Sequence, residues 1–416
     1  MTELVQTPYG VMTDDRRLIS LSDLCASNGG VQTGPFGSQL HLSDYVDDGI
    51  PIVTVEHLGD RKINGDEAPK VSPEDVARLS KYSLEEGDIV FSRVGSVDRC
   101  SLVTSSEAGW LFSGRCLRVR PKKAEVDSIF LSYFFRFDRF KEHIRAIAVG
   151  ATMPSINTEI LRGVKVPVPP MVEQRAIAGV LGALDDKIES NSRMADLLIR
   201  LARTMMSVGQ YEVRLGDIAK CEKGLSYKGN GLEEKASLGI PMINLANFGV
   251  DGWLDAEKMK FYSGDYKERH LLKAGDLVVA NTDLTQQRVI IGRPALVPPE
   301  LGAAIFTHHV TAIRPIEDEA LALPIWAQLN TPGFRERAEG FATGTTVAGL
   351  PVETLLDFQV QIPNGGVIRD ARELLQRVWA AEAESKSLTL TRDALLPELL
   401  SGRLRVRDTE SMMENV

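Results

Sequence analysis

The sequence is poor in the residues that would announce a metal, a disulfide or a membrane. Four cysteines in 416 residues, Cys25, Cys100, Cys116 and Cys221, lie too far apart to make a CxxC pair. Neither a zinc knuckle nor a disulfide framework is therefore expected, and a reducing cytoplasm is the expected setting. No apolar run approaches the roughly 18 residues of a membrane-spanning helix, so no membrane association is expected. The opening MTELVQTPYG carries an early acid and no apolar core, unlike a secretory signal. The six histidines show no HExxH spacing. His308 and His309 are adjacent, and neighbours on a strand face opposite sides, which argues against a metal role.

Catalytic signatures are missing as well. The chain has no GxxxxGK[ST] loop, no GxGxxG after a strand, no GxSxG and no Asn/Asp-Pro-Pro-aromatic tetrapeptide. Glu233-Glu234-Lys235 resembles a nuclease ExK only loosely, lacks the preceding Pro-Asp, and reads as a charged turn. What remains is an ordinary globular mix, 43% apolar and 25% charged, long enough for two or three domains.

The formal net charge is −9, which taken alone disfavours a nucleic-acid partner. Local patches matter more than the sum. Between Arg93 and Lys123, seven bases (Arg93, Arg99, Arg115, Arg118, Arg120, Lys122, Lys123) face only Asp98 and Glu107. Two readings stay open for this run: a solvated strand face or a phosphate-facing surface.

Internal repetition decides the architecture. Gly49-Ile50-Pro51-Ile52 returns as Gly239-Ile240-Pro241-Met242, 190 residues on. Gly87-Asp88-Ile89-Val90 returns as Gly275-Asp276-Leu277-Val278 at an offset of 188. Gly150-Ala151-Thr152 returns as Gly344-Thr345-Thr346, and Val166-Pro167-Val168-Pro169 as Val360-Gln361-Ile362-Pro363, both at 194. Four matches in the same order indicate a duplicated domain. Each copy opens with short strands broken by Gly, Pro, Asn and Asp, such as Ile50 to Val55 and Asp88 to Arg93, or Ile240 to Leu245 and Asp276 to Ala280. The Gly150 and Gly344 turns are expected to pack each globule against its helix, or else to touch a phosphate.

Each copy closes with a helical stretch. After Pro170, apolar positions fall at Ile177, Leu181, Leu184, Ile188, Asn191, Ala195, Leu198, Ala202 and Met205, alternating steps of 4 and 3. The second seam runs Ala371, Leu374, Val378, Ala381, Ser385, Leu388, Arg392, Leu395 and Leu399. Two such seams on one chain bury most simply against each other, giving an antiparallel coiled coil. Asn191 would fix its register. Ser385 and Arg392 would weaken the second seam and leave room for an outside helix. Separate amphipathic helices are the plainer alternative. The fold class is therefore α+β, with two pseudo-repeated β-rich domains each followed by a long helix, and the layout suits recognition of two things at a fixed distance.

The run Val166-Pro167-Val168-Pro169-Pro170-Met171-Val172-Glu173-Gln174-Arg175-Ala176-Ile177, continued by Leu184-Asp185-Asp186-Lys187-Ile188-Glu189-Ser190-Asn191, resembles the central conserved region of type I restriction–modification specificity subunits. Leu395-Leu396-Pro397-Glu398-Leu399-Leu400-Ser401-Gly402-Arg403-Leu404 resembles that family's closing segment, and Gly34-Pro35-Phe36-Gly37-Ser38 a piece of its recognition domains. The second copy departs from the pattern, with Asn364-Gly365-Gly366-Val367-Ile368-Arg369 in place of Pro-Pro-x-x-Glu-Gln.

The resemblance implies target-recognition domains at 1–165 and 209–364, conserved coiled-coil helices at 166–208 and 365–404, and a tail at 405–416. It implies a non-catalytic subunit that reads one half of a split, asymmetric site on double-stranded DNA with each domain. Two methyltransferase subunits holding S-adenosylmethionine would dock on it, and restriction subunits would join them. This chain would bind no cofactor. A helix of about 36 residues spans roughly 54 Å, which fits an unread gap of roughly five to nine base pairs. Base edges are read by Arg, Lys, Asn, Gln, Ser and Thr. The DNA-reading candidates are Gln32, Thr33, Gly34, Phe36, Ser38, Gln39, Arg93, Ser96 and Arg99 in the first copy. Lys223, Ser226, Tyr227, Lys228, Asn281, Thr282, Gln286, Gln287 and Arg288 are those of the second. Subunit contacts are expected at Glu173, Arg175, Asp185, Lys187, Glu189 and Arg193. A scaffold that gathers two protein partners without touching DNA is the alternative from another class.

Overall fold

A computed structural model describes residues 3–406 apart from 28, 38, 228, 250, 251, 285–287, 345 and 346. The chain forms two compact units, one from Met1–Lys187 with Ser387–Val416 and the other from Ile188–Lys386. Among the described residues no helix is long and apolar enough to cross a membrane.

Unit 1 is built on an antiparallel sheet of β1 (Val31–Thr33), β2 (Ile89–Ser92), β3 (Cys100–Leu102) and β4 (Cys116–Val119), in the order β1-β4-β2-β3. Alternation along these short strands is weak because β2 and β4 are buried on both faces. One face covers α1 (Ser128–Arg136) and α2 (Asp138–Ile147). Asp127 caps α1 by accepting from the Ile129 and Phe130 amides. Helix α1 then buries Phe130, Tyr133, Phe134 and Phe135, and Phe91 of β2 meets Phe135 edge to face at 4.8 Å. The sequence pattern alone places no helices here. A second small sheet carries Ile50–Val53 and Leu111–Phe112 as parallel neighbours.

Unit 2 repeats the plan. Strands β5 (Ala219–Lys223), β6 (Leu277–Ala280), β7 (Pro294–Leu296) and β8 (Val310–Pro315) stand in the order β5-β8-β6-β7, and Ile240–Ile243 and Ala304–Phe306 are again parallel. Helices α4 (Ala322–Leu329) and α5 (Pro332–Phe341) follow the sheet, after α3 (Met171–Met206) and before α6 (Gly365–Ser401). The duplication reaches individual atoms. Asp88 accepts from the Glu85 amide and from Arg120, and Asp276 accepts from the Lys273 amide and from Arg314. The Gly-Asp strand starts are thus turn locks, with an arginine from the neighbouring strand closing each.

Helices α3 and α6 run antiparallel and pack together, early residues of one against late residues of the other. In unit 1 Asp185 of α3 meets Arg392 of α6; in unit 2 Asn191 meets Ala381 and Glu384. Leu181, Leu184, Asn191, Val378, Ala381 and Leu399 are buried along the seam, and Ile188, Leu198, Leu374, Leu388 and Leu395 are half-buried. Ile199 and Leu375, each one position off the expected seam, are also buried, as a helix of 3.6 residues per turn drifts against a repeat of 3.5. Arg392 leaves no opening for an outside helix, because its guanidinium turns inward to Asp185 at 2.7 Å. Pro397 does not end α6, which continues to Ser401.

Asn191 is 2% exposed and donates to the Glu384 carboxylate at 2.7 Å. Glu384 is itself exposed, so it can be hydrated when the amide is gone. Asn191→Leu should therefore raise stability by about 1 kcal/mol while relaxing the register that the polar position imposes. Urea unfolding checks the first effect, and cysteine cross-linking across the seam checks the second.

Candidate nucleic-acid interface

In each unit the end of the main sheet gathers three chain segments on the same frame. The residue after β2 is Arg93, whose amide donates to the Arg115 carbonyl at 2.8 Å; its counterpart after β6 is Asn281, whose amide donates to the His309 carbonyl at 3.0 Å. The strap after β1 begins at Gly34 and the strap after β5 at Gly224. Their amides bond to the Cys116 and Val310 carbonyls at 3.3 and 3.2 Å. A Cβ on Gly34 would lie 2.2 Å from the Ser113 oxygen, and one on Gly224 2.2 Å from the Thr307 oxygen. Only glycine lets the strap lie this close to the turn that precedes β4 or β8.

The third segment is the glycine loop of each copy. Gly95 donates to the Pro154 carbonyl and Ile156 to the Arg93 carbonyl. In unit 2 Thr282–Asp283 pairs with Ala348–Gly349, and Leu350 donates to the Asn281 carbonyl. These bonds set the Gly150 and Gly344 loops beside the sheet tip rather than against the long helix, a correction to the expected packing. Thr345 and Thr346 lie outside the described residues.

The basic run divides in two. Arg118 is buried and donates to the Gly29, Lys81 and Ser83 carbonyls and to Gln32. Arg120 is tied to Asp88 and Glu85, and Lys122 to the Asp23 carbonyl. These three hold the unit together. Arg93, Arg99 and Arg115 instead lie just beyond the strand ends that form the tip, where Arg99 and Arg115 are exposed and Arg93 is half-buried, while exposed Lys123 follows the other end of β4. Arg93 donates to the Gly114 carbonyl at 3.2 Å and lies 5.8 Å over the ring of exposed Phe36. Glu56 lies close to Arg115; the Thr54 hydroxyl first, then its own backbone and the Arg115 charge, hold its carboxyl below the ordinary range.

Several candidates are engaged elsewhere. Gln39 accepts from the Tyr82 hydroxyl and, through its carbonyl, from Arg78, so it anchors the end of the strap. Arg99 donates to the Leu58 carbonyl. Ser96 is exposed on the turn after β2, and Thr33 Oγ1 is buried with no hydrogen-bond partner. Ser38 lies outside the described residues.

In unit 2 Lys223 and Ser226 are exposed, and Tyr227 packs on Tyr262 at 6.0 Å. Thr282 Oγ1 lies 2.8 Å from His309 Nδ1. Asn281 donates to Thr311 Oγ1 at 2.9 Å. Arg288 adopts a φ of 50° and reaches the Glu339 and Gly344 carbonyls. Lys228, Gln286 and Gln287 lie outside the described residues.

His308 and His309 are not strand neighbours on opposite faces, as their adjacency suggests. They form the turn before β8, with ring centroids 3.9 Å apart. Burial first, then the nearby charges of His308 and Lys223, push the His309 pKa below its ordinary value, so the ring is neutral at pH 7. Asn281 Oδ1, Thr307 Oγ1 and His308 Nδ1 are buried there without a partner. Sequence reasoning missed Arg115 and the histidine turn. The offset of 194 that joins Gly150 to Gly344 also joins Arg115 to His309, and it was the available signal.

The subunit-contact set is also divided. Arg175 and Lys187 are exposed, and Arg193 pairs with Glu189 along the helix surface at 2.8 Å. Glu173 bridges Arg16 and Arg405. The expected surface role for Asp185 is corrected by its burial among Tyr133, Arg136 and Arg392.

Two glycine-strapped sheet tips thus present arginines, an asparagine and imidazoles on one frame, a chemistry that suits nucleic acid. Residues 18–197 match the family model for the type I restriction modification DNA specificity domain. The chain is 24% identical over 361 residues to the type I restriction enzyme MjaVIII specificity subunit of Methanocaldococcus jannaschii, covering 76% of this chain and 81% of that one. It is 31% identical over 162 residues to the putative type I restriction enzyme MjaX specificity subunit of the same organism, a match that spans only 38% of the length of each. The crystal structure of a type I restriction–modification S subunit from M. genitalium shares the fold, with a TM-score of 0.60 at 15% identity over 92% of this chain and 95% of that one. Over most of its length the chain is thus similar to type I restriction–modification specificity subunits, and it shares the fold of one of them.

Proposed function

We propose that this chain is the sequence-reading subunit of a type I restriction–modification enzyme, each unit reading one half of a split, asymmetric site in double-stranded DNA. The observation that carries this reading is the pair of equivalent sheet tips. They share one backbone frame yet hold different side chains at matched rungs, Arg93 and Arg115 in unit 1 against Asn281 and His309 in unit 2. One frame with two chemistries suits two unrelated half-sites, joined by an unread gap of roughly five to nine base pairs. Two methyltransferase subunits would dock on the exposed flanks of α3, with Arg175 and Lys187 among the contacts, and restriction subunits would join them. The methyl donor S-adenosylmethionine would be held by the methyltransferase partners. This chain contributes recognition alone.

Co-expression with the neighbouring methyltransferase subunit, followed by methylation of a randomised DNA library and sequencing, tests the reading. The expected product is a bipartite, non-palindromic methylated motif. Association that ignores both base sequence and salt concentration would instead make the chain a protein scaffold.

A further inference from the structure

We infer that Arg93 and Arg115 form the guanine-reading element of unit 1, with Arg115 as a specificity-determining residue, and that unit 2 reads its half-site without an arginine at the matching place. The inference rests on the DNA-reading function proposed above and adds which base is read, and by what.

The two arginines occupy the rung after Ser92 and Cys116 in the β2–β4 ladder. Directly opposite residues of an antiparallel pair share a face, and like charges placed so are destabilising. Glu56 is close enough to offset part of that repulsion. The pair would gain most from an acceptor outside the chain. Arg93 is already oriented, with one nitrogen on the Gly114 carbonyl and its guanidinium over Phe36. The strap that carries Phe36 is clamped in turn: a Cβ on Gly114 would lie 2.4 Å from the Pro35 oxygen. A guanidinium fixed in this way loses little freedom on binding. Fixed forks suit the two acceptors of guanine, O6 and N7, better than a phosphate, which any mobile cation can meet.

Unit 2 holds the same rung with Asn281 and His309. The Asn281 amide is turned to Thr311 and the His308 carbonyl, so it positions the turn. Exposed Lys223 is left to face a ligand, together with the His309 ring, whose Nδ1 is engaged by the Thr282 hydroxyl so that only Nε2 remains for it. The two half-sites should therefore differ in base composition at equivalent positions.

The experiment uses the co-expressed complex and compares methylated motifs position by position for wild type, Arg115→Ala, Arg93→Lys and His309→Ala, with DNA affinity measured in parallel. Arg115→Ala and Arg93→Lys should each lower discrimination at one G·C pair of one half-site by about fivefold to a hundredfold, leaving the other half-site intact. Arg93→Lys keeps the charge and loses the fork, so a relaxed position with retained affinity cannot come from misfolding. His309→Ala should disturb only the other half-site. A uniform loss of affinity across all sequences, with the salt slope falling by about one, would make the arginines phosphate contacts and overturn the assignment. Unchanged motifs in both arginine variants, or relaxation at an A·T pair, would overturn it too. A wild-type complex that yields no split motif would refute the proposed function itself, a failure separate from these.

Discussion

Asp185→Ala should destabilise unit 1 by about 3–5 kcal/mol, the expected cost of breaking a buried ion pair from one side. Asp185 is 6% exposed, and its carboxylate accepts from Tyr133 Oη at 2.7 Å, Arg136 at 2.9 Å and Arg392 at 2.7 Å. Burial alone would raise its pKa, but these donors outweigh it and hold the carboxyl below its ordinary value. Removing the carboxylate strips the Tyr133 hydroxyl and the inner nitrogens of two largely buried guanidiniums of their shared acceptor, leaving Arg136 only exposed Asp60 and Arg392 only exposed Asp393. The sign with pH follows from the lowered value. The stabilisation is present above the unfolded-state pKa of about 3.9 and is lost as pH falls below it. Urea unfolding at pH 7 and pH 3 checks both points: the wild type should lose stability on acidification, and the variant should lose less. A coupling energy near zero between Asp185→Ala and Arg392→Ala would contradict the network.

The same network shows where the sequence was legible and where it was not. The seam of 4 and 3 spacings located α3 and α6 to within a few residues, because helical periodicity survives in any amphipathic helix. It could not say that Asp185 faces inward. An aspartate between Leu184 and Asp186 reads as a solvated flank, and only the arrival of Arg136 from α1 and Arg392 from α6 makes its burial tolerable. The repeats at offsets of 188 to 194 revealed the duplication, and Gly87 and Gly150 marked turns that recur 188 and 194 residues later at Gly275 and Gly344, whereas the pairing of Gly34 with Gly224 emerged only from the straps. Helix α1 stayed hidden because the run Phe130 to Phe135 is apolar but for Ser132 and buried all round, and such a run carries no period to separate helix from strand, whereas α2 does carry a helical spacing at Phe140, Ile144 and Ile147 that went unread. The basic run misled for a related reason. A count of charges does not tell which arginines have partners inside the unit, and Arg118 and Arg120 do while Arg93 and Arg115 sit at the tip beyond the strand ends. Arg115 was within reach of the same arithmetic that matched Gly150 to Gly344, whereas the stacked rings of His308 and His309 depend on a turn that the strand reading excluded.

Gly402→Ala should cost about 3 kcal/mol, which explains in physical terms the glycine of the closing Leu399-Leu400-Ser401-Gly402 segment. Helix α6 ends at Ser401, and its last carbonyls need donors. Arg16, whose side chain is fully buried, donates to the Leu399 and Leu400 carbonyls at 3.0 and 3.3 Å, and Thr13 to the Ser401 carbonyl at 3.3 Å. The Nη2 that reaches Leu399 also donates to Glu173 at 2.7 Å, and Nη1 donates to Asp15 at 3.1 Å. Gly402 turns the chain away with a φ of 79°, the left-handed conformation that ends many helices and that other L-residues adopt at a cost of about 1–2 kcal/mol. A Cβ there would lie 2.1 Å from Thr13 Oγ1 and 2.7 Å from Arg16 Cζ, so the caps themselves must move, adding about 1–3 kcal/mol of overpacking. Gly179 makes the contrast: it is exposed inside α3, and a Cβ there would meet no atom within 4 Å. The same substitution at that position removes only backbone freedom from the unfolded chain, and Gly179→Ala should stabilise by about 0.5–1 kcal/mol. Opposite shifts in the urea midpoint are expected for the two alanine variants, and a Gly402→Ala protein as stable as wild type would mean that Arg16 and Thr13 do not cap the helix.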